Sequence, residues 1–257
     1  MERDKVSEIM TNMVVTASES HSIYDIACLM ASKNIGSLLI TDTGHIRGII
    51  TERDILSRLS EGSRLYGLPV TKLMTRKVLT IKPDTRIVEA ADLMINHLFR
   101  RLPVVEHGIL VGIVTATDLT FEMNSPNIHG KVKEYMSRET HTSPPSAYVT
   151  EAVKVMVENN IGATTVVDGK EVVGILSERD IMRNVVAKKA EPDKVLVSSV
   201  MSDTIKISPD TQVNYACHLM YYYGHRRFPV VDDRGKLIGM VTERDLLKAM
   251  RPNDSKA

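Results

Sequence analysis

Four short stretches hold the residues with the most chemistry in them. Gly48-Ile49-Ile50-Thr51-Glu52-Arg53-Asp54 recurs as Gly112-Ile113-Val114-Thr115-Ala116-Thr117-Asp118, as Gly174-Ile175-Leu176-Ser177-Glu178-Arg179-Asp180 and as Gly239-Met240-Val241-Thr242-Glu243-Arg244-Asp245. Each copy is a glycine, two aliphatics, a hydroxyl residue, two variable residues and an aspartate. A strand that ends in Thr or Ser and feeds a helix presents unpaired backbone N–H groups, which favour an anion such as phosphate. The hydroxyl of Thr51, Thr115, Ser177 or Thr242 can donate to a phosphate or ribose oxygen. Ionised Asp54, Asp118, Asp180 and Asp245 can each accept two hydrogen bonds, and a ribose 2′,3′-diol offers two donors. The same spacing is close to a helix capping box, which needs no ligand. A capping box prefers Glu or Gln at its last position, however, and does not require the repeated glycine. Both readings stay open on the residues alone.

A second constellation is the arginine pair that precedes a Pro-Val-Val strand. Arg100-Arg101 stand before Leu102-Pro103-Val104-Val105, and Arg226-Arg227 before Phe228-Pro229-Val230-Val231. Such a pair can clamp phosphates bidentately; it can equally be a solvated basic edge guarding a strand end. The first and third copies carry Asn34-Ile35-Gly36 and Asn160-Ile161-Gly162, which puts Ile-Gly at this point. Two unequal kinds of site are therefore expected. The second copy has Ala116-Thr117 where the others have Glu-Arg, so its charge should differ.

These residues must be positioned by a recurring unit, and a fixed internal period decides the architecture. Each unit opens with a lead-in such as Val6-Ser7-Glu8-Ile9-Met10, followed by a short strand, Met13 to Thr16 in the first copy and Val78 to Ile81 in the second. A helix follows with one apolar face: Ile23, Ile26, Ala27 and Met30, then Ile87, Ala90, Ala91 and Met94, then Val149, Ala152, Val153 and Met156, then Val213, Ala216, Cys217 and Met220. That spacing predicts one buried helix face. Ser22 is the expected cap of the first such helix, and Asn34 to Gly36 its end. A hairpin turns at Asp42-Thr43-Gly44, at Glu106-His107-Gly108, at Asp168-Gly169 and at Asp232-Asp233-Arg234-Gly235. The order is strand, helix, strand, strand, helix, an α/β (α+β) class. Four repeats are assigned, at 5–61, 66–122, 131–189 and 194–251, with a loop at Glu122 to Gly130 containing Asn124-Ser125-Pro126-Asn127. One repeat alone buries little surface, so pairing is required.

The lead-in Val-x-x-Ile/Val-Met, the Pro-Val-Val strand and Gly-h-h-Thr/Ser-x-x-Asp together resemble CBS (cystathionine β-synthase) domains over residues 5 to 250. Four copies in one chain are similar to the gamma subunit of AMP-activated protein kinase and to small prokaryotic stand-alone CBS proteins. The resemblance implies two pseudo-twofold pairs, or Bateman modules, whose clefts take AMP, ADP, ATP or S-adenosylmethionine. It also implies signalling to an unidentified regulated protein, and self-association such as a homodimer. In the kinase gamma subunit a His-Arg pair before the corresponding strand contacts phosphates. Here both positions are Arg, with His225 one residue earlier, so the geometry departs from that pattern.

Composition narrows the classes further. The chain is 43% hydrophobic and 25% charged with net charge +1, which disfavours a nucleic-acid binder. No apolar run approaches a membrane span. The mixed charge of Met1-Glu2-Arg3-Asp4-Lys5 does not fit a signal peptide. Cys28 and Cys217 lack metal-ligand spacing and fit a reducing compartment, so a cytoplasmic location is expected. The eight histidines form no zinc site. Tyr221-Tyr222-Tyr223 reads as helix end and surface, or as a stacking or partner contact. No nucleophile–base pair recurs, so no catalytic residue and no catalytic cofactor are assigned. The expected function is a non-catalytic sensor of adenosine-containing ligands; the alternative is an interaction scaffold with empty or vestigial clefts.

Overall fold

The computed structural model describes residues 4–62, 65–122 and 130–250 of the 257. The Asn124-Ser125-Pro126-Asn127 loop, Ser63, His129 and both chain ends fall outside them. Four repeats follow in order, of mixed α/β structure. The first has β1 (Thr16–Ala17), α1 (Ile23–Lys33), β2 (Ser37–Asp42), β3 (His45–Thr51) and α2 (Glu52–Ser60). The second has α3 (Ile87–Asn96), β4 (Arg101–Glu106), β5 (Ile109–Thr115) and α4 (Ala116–Glu122). The third has β6 (Thr142–Ser143), α5 (Val149–Glu158), β7 (Ala163–Asp168), β8 (Glu171–Ser177) and α6 (Glu178–Ile181), prolonged by a π turn, Met182–Val186. The fourth has α7 (Val213–Tyr223), β9 (Arg227–Val231), β10 (Leu237–Thr242) and α8 (Glu243–Leu247). Each lead-in forms a 3-10 turn: Val6–Glu8, Val70–Lys72, Val132–Glu134 and Val197–Ser199.

All sixteen residues of the predicted helix faces are buried. Ser22 caps α1, and Asn34 ends it in the left-handed region. The opening strands are shorter than the sequence suggests. In the first repeat only Thr16–Ala17 pairs, and Met13 is 90% exposed. In the second and fourth repeats the opening strand shrinks to a single parallel bridge, Ile81 to Val104 and Ile207 to Val230. The cause is proline. In the third repeat the Thr165 N–H donates to the His141 carbonyl, whereas Pro103 and Pro229 hold the equivalent position and have no N–H to give.

The chain divides into two compact units. One, the odd unit, joins Val15–Val78 to His141–Thr204, the bodies of repeats one and three. The other, the even unit, joins Met1–Val14, Leu79–Thr140 and Ile205–Ala257, so it holds the bodies of repeats two and four. Each has its own aliphatic core. In the odd unit α2 packs on α5 and α6, and α1 on the π turn; in the even unit α4 packs on α8 and α7, and α3 on α8.

Lead-ins are exchanged between consecutive repeats. Thr75, ending the lead-in of repeat two, bridges Ile49 of repeat one, and Thr11 of repeat one bridges Ile113 of repeat two. Ser202 of repeat four bridges Ile175 of repeat three, and Ser137 of repeat three bridges Met240 of repeat four. The repeated glycine makes this possible. A Cβ at Gly48 would lie 2.9 Å from the Met74 sulfur, and one at Gly112 would lie 2.6 Å from that of Met10. At Gly174 it would sit 2.9 Å from the Ser202 carbonyl oxygen, and at Gly239 2.7 Å from that of Ser137. Lead-in methionine and motif glycine are therefore two halves of one packing contact.

Candidate functional site

Every Thr/Ser-x-x-Asp stretch is a complete capping box. Oγ1 of Thr51 accepts from the Asp54 N–H at 3.3 Å, while Asp54 Oδ2 accepts from the Thr51 N–H at 2.7 Å and its hydroxyl at 2.8 Å. Thr115 and Asp118 repeat this at 2.7 and 2.8 Å, Ser177 and Asp180 at 2.8 and 2.5 Å, and Thr242 and Asp245 at 3.0 and 2.7 Å. The cap reading is thus realised with Asp at the last position. Asp, though shorter than Glu, reaches both donors, and one oxygen takes both bonds. The glycine, an argument against a pure cap on sequence grounds, is accounted for by the lead-in contact.

One oxygen of each aspartate is left over, and its surroundings differ. Oδ1 of Asp180 accepts from the Ser202 hydroxyl at 2.7 Å, and Oδ1 of Asp245 lies 3.3 Å from the Lys248 ammonium. Among the described residues, Oδ1 of Asp54 and of Asp118 takes no hydrogen bond. Burial holds the Asp54 and Asp118 carboxyls above the ordinary aspartate range, against the opposing pull of the Thr51 and Thr115 bonds. The charge on these two carboxylates is therefore only partly stabilised by the protein.

The arginines lie where a strand gives way to a helix. The Arg100 carbonyl accepts from the Ala116 N–H at 2.9 Å, and the Arg226 carbonyl from that of Glu243 at 3.1 Å. Arg101 pairs with Thr115 and Arg227 with Thr242 across their hairpins. In the odd repeats the carbonyls of Gly36 and Gly162 do the same for Glu52 and Glu178, and Ser37 and Ala163 are the strand partners of Thr51 and Ser177. The odd counterparts of Arg-Arg are therefore Gly-Ser and Gly-Ala, one residue later than the Ile-Gly read from sequence. The hairpin register settles this, because it is pinned by the Thr and Ser caps.

The sequence reading passed over the glutamates. Glu52, Glu178 and Glu243 are 2–3% exposed, and each begins the helix after its motif. A charge is not left in a core without partners. In the odd unit Arg53 of repeat one donates to Glu178 of repeat three at 2.8 Å, to the Asn160 carbonyl at 2.8 Å, and to the Asn160 side chain. Arg179 faces Glu52 more loosely, at 3.8 Å, and its buried Nη2 has no hydrogen-bond partner among the described residues. In the even unit Ala116 replaces one glutamate and Thr117 one arginine. Thr117 donates to Glu243 at 2.8 Å, and Arg244 donates to the Leu98 carbonyl at 2.9 Å. Burial pushes the Glu243 carboxyl up; Arg226, the Thr117 bond, Arg100 and Arg227 pull it back without cancelling the effect. The signal in the sequence was Glu-Arg, treated there as two variable positions.

Burial, with Glu243 nearby, pushes the Cys217 thiol up to about 12, so it is protonated at neutral pH. Among the described residues no group of three or more His, Cys, Asp or Glu is placed to hold a metal, and no helix is long and apolar enough to cross a membrane. Tyr221, Tyr222 and Tyr223 end α7 and are exposed, with Tyr221 against Phe121 at a ring separation of 4.3 Å.

The CBS domain family matches at residues 6–61, 70–125, 132–187 and 197–252. The chain is 26% identical to the CBS domain-containing protein CBSCBSPB1 of Arabidopsis thaliana over 92% of its own length and 52% of that protein, so it spans about half of that relative. It is 30% identical to the uncharacterized protein MJ1225 of Methanocaldococcus jannaschii, over 70% of this chain and 69% of that one. The crystal structure of MJ1225, a protein proposed as an archaeal homologue of g-AMPK, shares the fold with a TM-score of 0.85 at 21% identity, over 96% of this chain and 100% of that one. An uncharacterized conserved protein from Pyrococcus horikoshii is similar at a TM-score of 0.68 and 26% identity, over 96% and 100%. The chain belongs to the CBS-domain family and carries four copies of that domain.

Proposed function

We propose that the chain is a non-catalytic sensor that binds adenosine-containing ligands, AMP, ADP, ATP or S-adenosylmethionine, at its Thr/Ser-x-x-Asp junctions. It passes the ligand state to a partner protein. One observation carries this reading: each capping box consumes only one carboxylate oxygen. A cap and a ribose contact can therefore coexist, and at Asp54 and Asp118 the second oxygen has no hydrogen bond among the described residues. The likeness to MJ1225, a protein proposed as an archaeal homologue of g-AMPK, supports a regulatory reading of the chain. Binding energy that differs between two arrangements of the repeats is what would move a partner.

The test is calorimetric titration with the adenosyl panel beside guanosine controls, on the native chain and on Asp54→Asn and Asp118→Asn. An asparagine carbonyl keeps both cap bonds but presents N–H donors where the diol needs an acceptor. The expected result is binding of at least one adenosyl compound, weakened about tenfold or more by one of the two variants. Binding by none of the panel would move the assignment to an interaction scaffold. That second reading is favoured by one finding: lead-in packing and helix capping explain Gly, Thr and Asp without any ligand.

A further inference from the structure

The first helix of each repeat has a buried face and, opposite it, an outer stripe at i, i+3 and i+7. On α1 that stripe reads Asp25, Cys28, Ser32; on α3, Glu89, Asp92, Asn96; on α5, Glu151, Lys154, Glu158. Such mostly polar residues are what a solvated helix face carries. On α7 the same stripe reads Tyr215, His218, Tyr222, with Tyr221 and Tyr223 on its flanks. The His218 ring stacks on Tyr222 at 6.2 Å, and Tyr221 meets Phe121 of α4 at 4.3 Å. Exposure of the five aromatics on this face runs from 39% at Phe121 to 72% at Tyr222. Among these four helices α7 is also the one with no Asp, Glu, Lys or Arg.

A solvated helix face has no use for aromatics, and a contiguous exposed patch of them marks a surface that another molecule covers. A buried aromatic hides about 150–250 Å², so side chains about half exposed offer on the order of 500 Å² in all on this face. A specific dimer buries about 600–1,000 Å² on each partner, and the patch supplies most of that. The missing charge decides the occupant. In a two-fold dimer each copy meets the same patch on the other, so a charged stripe is set against its own sign. The α5 stripe would oppose Glu151 and Glu158 to their own copies; the α7 stripe has no such charge to oppose. Tyrosine suits this place, because its ring can be covered while its hydroxyl reaches a partner group or water at the rim. We infer that the outer face of α7, with Phe121 beside it, is the surface through which two copies of this chain form a dimer. Val213, Ala216, Cys217 and Met220 lie on the opposite, buried face, so the contact leaves the even core as it is. The inference does not rest on the ligand reading.

Sedimentation equilibrium of the full chain, from about 1 to about 100 μM, tests this. The native chain is expected to dimerise reversibly in that range. Tyr215→Lys and Tyr222→Lys each bring a like charge to both sides of the two-fold contact and should weaken the dimer about thirtyfold or more. Glu158→Lys, at the point of α5 that matches Tyr222, should leave it unchanged. Both tyrosines are exposed, so the variants should keep the native circular dichroism spectrum and melting temperature, which separates lost association from lost folding. A native chain that stays monomeric throughout overturns the inference and leaves the α7 face to a different protein. A dimer that ignores both tyrosine substitutions, or is weakened equally by Glu158→Lys, overturns it by placing the contact elsewhere.

Discussion

The sulfur of Met74 fills the space that a side chain at Gly48 would need, 2.9 Å from where its Cβ would sit. Met74 belongs to the lead-in of repeat two and Gly48 to the motif of repeat one. The same contact recurs with Met10, Met201 and Met136. An added methyl has little room to relax, since backbone oxygens at Thr75, Ser202 and Ser137 stand equally close at three of the four sites. Gly239→Ala is therefore expected to cost about 1–3 kcal/mol through overpacking. Urea denaturation would show it, and an unchanged midpoint would mean that the lead-in is not held there.

Arg53 and Thr117 occupy equivalent positions and should respond very differently to removal. Arg53→Met leaves Glu178, 2% exposed, without its cation. Because Arg53 is itself one-third exposed, the expected loss is about 2–4 kcal/mol, below that of a fully buried pair. Thr117→Val removes one hydrogen bond to Glu243, which keeps its arginine neighbours, and should cost about 1–2 kcal/mol. Equal losses in thermal unfolding would contradict this account of the two interfaces.

Leu98 has φ 59°, in the left-handed region, where Asn34, Asn160 and Gly224 stand at the matching points of the other repeats. A leucine is strained there. Its side chain is 60% exposed and gains little in return. Leu98→Gly should stabilise the protein by about 1 kcal/mol, provided the carbonyl still receives Arg244. A raised melting temperature is the expected readout.

The Asp54 and Asp118 carboxyls are held up by burial, and this fixes the sign of a pH effect. With the folded value above the unfolded one, their contribution to stability is complete below the ordinary aspartate value of about 3.9. It is lost as pH rises through the raised folded value. An Asp54→Asn, Asp118→Asn double variant keeps its caps and has no such loss. Its melting temperature relative to the native chain should rise between acid and neutral pH. A flat difference would show that the two carboxyls titrate alike in both states.

Much of this molecule was legible from one sequence. The helix faces, hairpins and caps follow from local spacing, and four copies made each reading stronger. Three things were not legible, all set by contacts between residues far apart in the chain. Pro103 and Pro229 shorten a ladder whose partner strand lies earlier in the chain. The glycines serve a methionine that lies in a neighbouring repeat. The buried glutamates look like ordinary first-turn acids, because their arginine or threonine partners are 125 and 126 residues away. Sequence spacing shows what a residue can do to its neighbours within a turn or two; it says little about which repeat will meet it.

Lead-in exchange and alternate pairing also govern the order in which the molecule can be completed as it is made. Thr117 leaves the ribosome 126 residues before the glutamate it binds. At roughly 5–20 residues per second, that is a wait on the order of 6–25 s. During it, the apolar flank of α4 lacks α7 and α8, and repeat one likewise waits for repeat three. The nascent chain therefore carries uncovered aliphatic surface until repeat three has emerged to close the odd core, and for longer, until repeat four has emerged, at the even core.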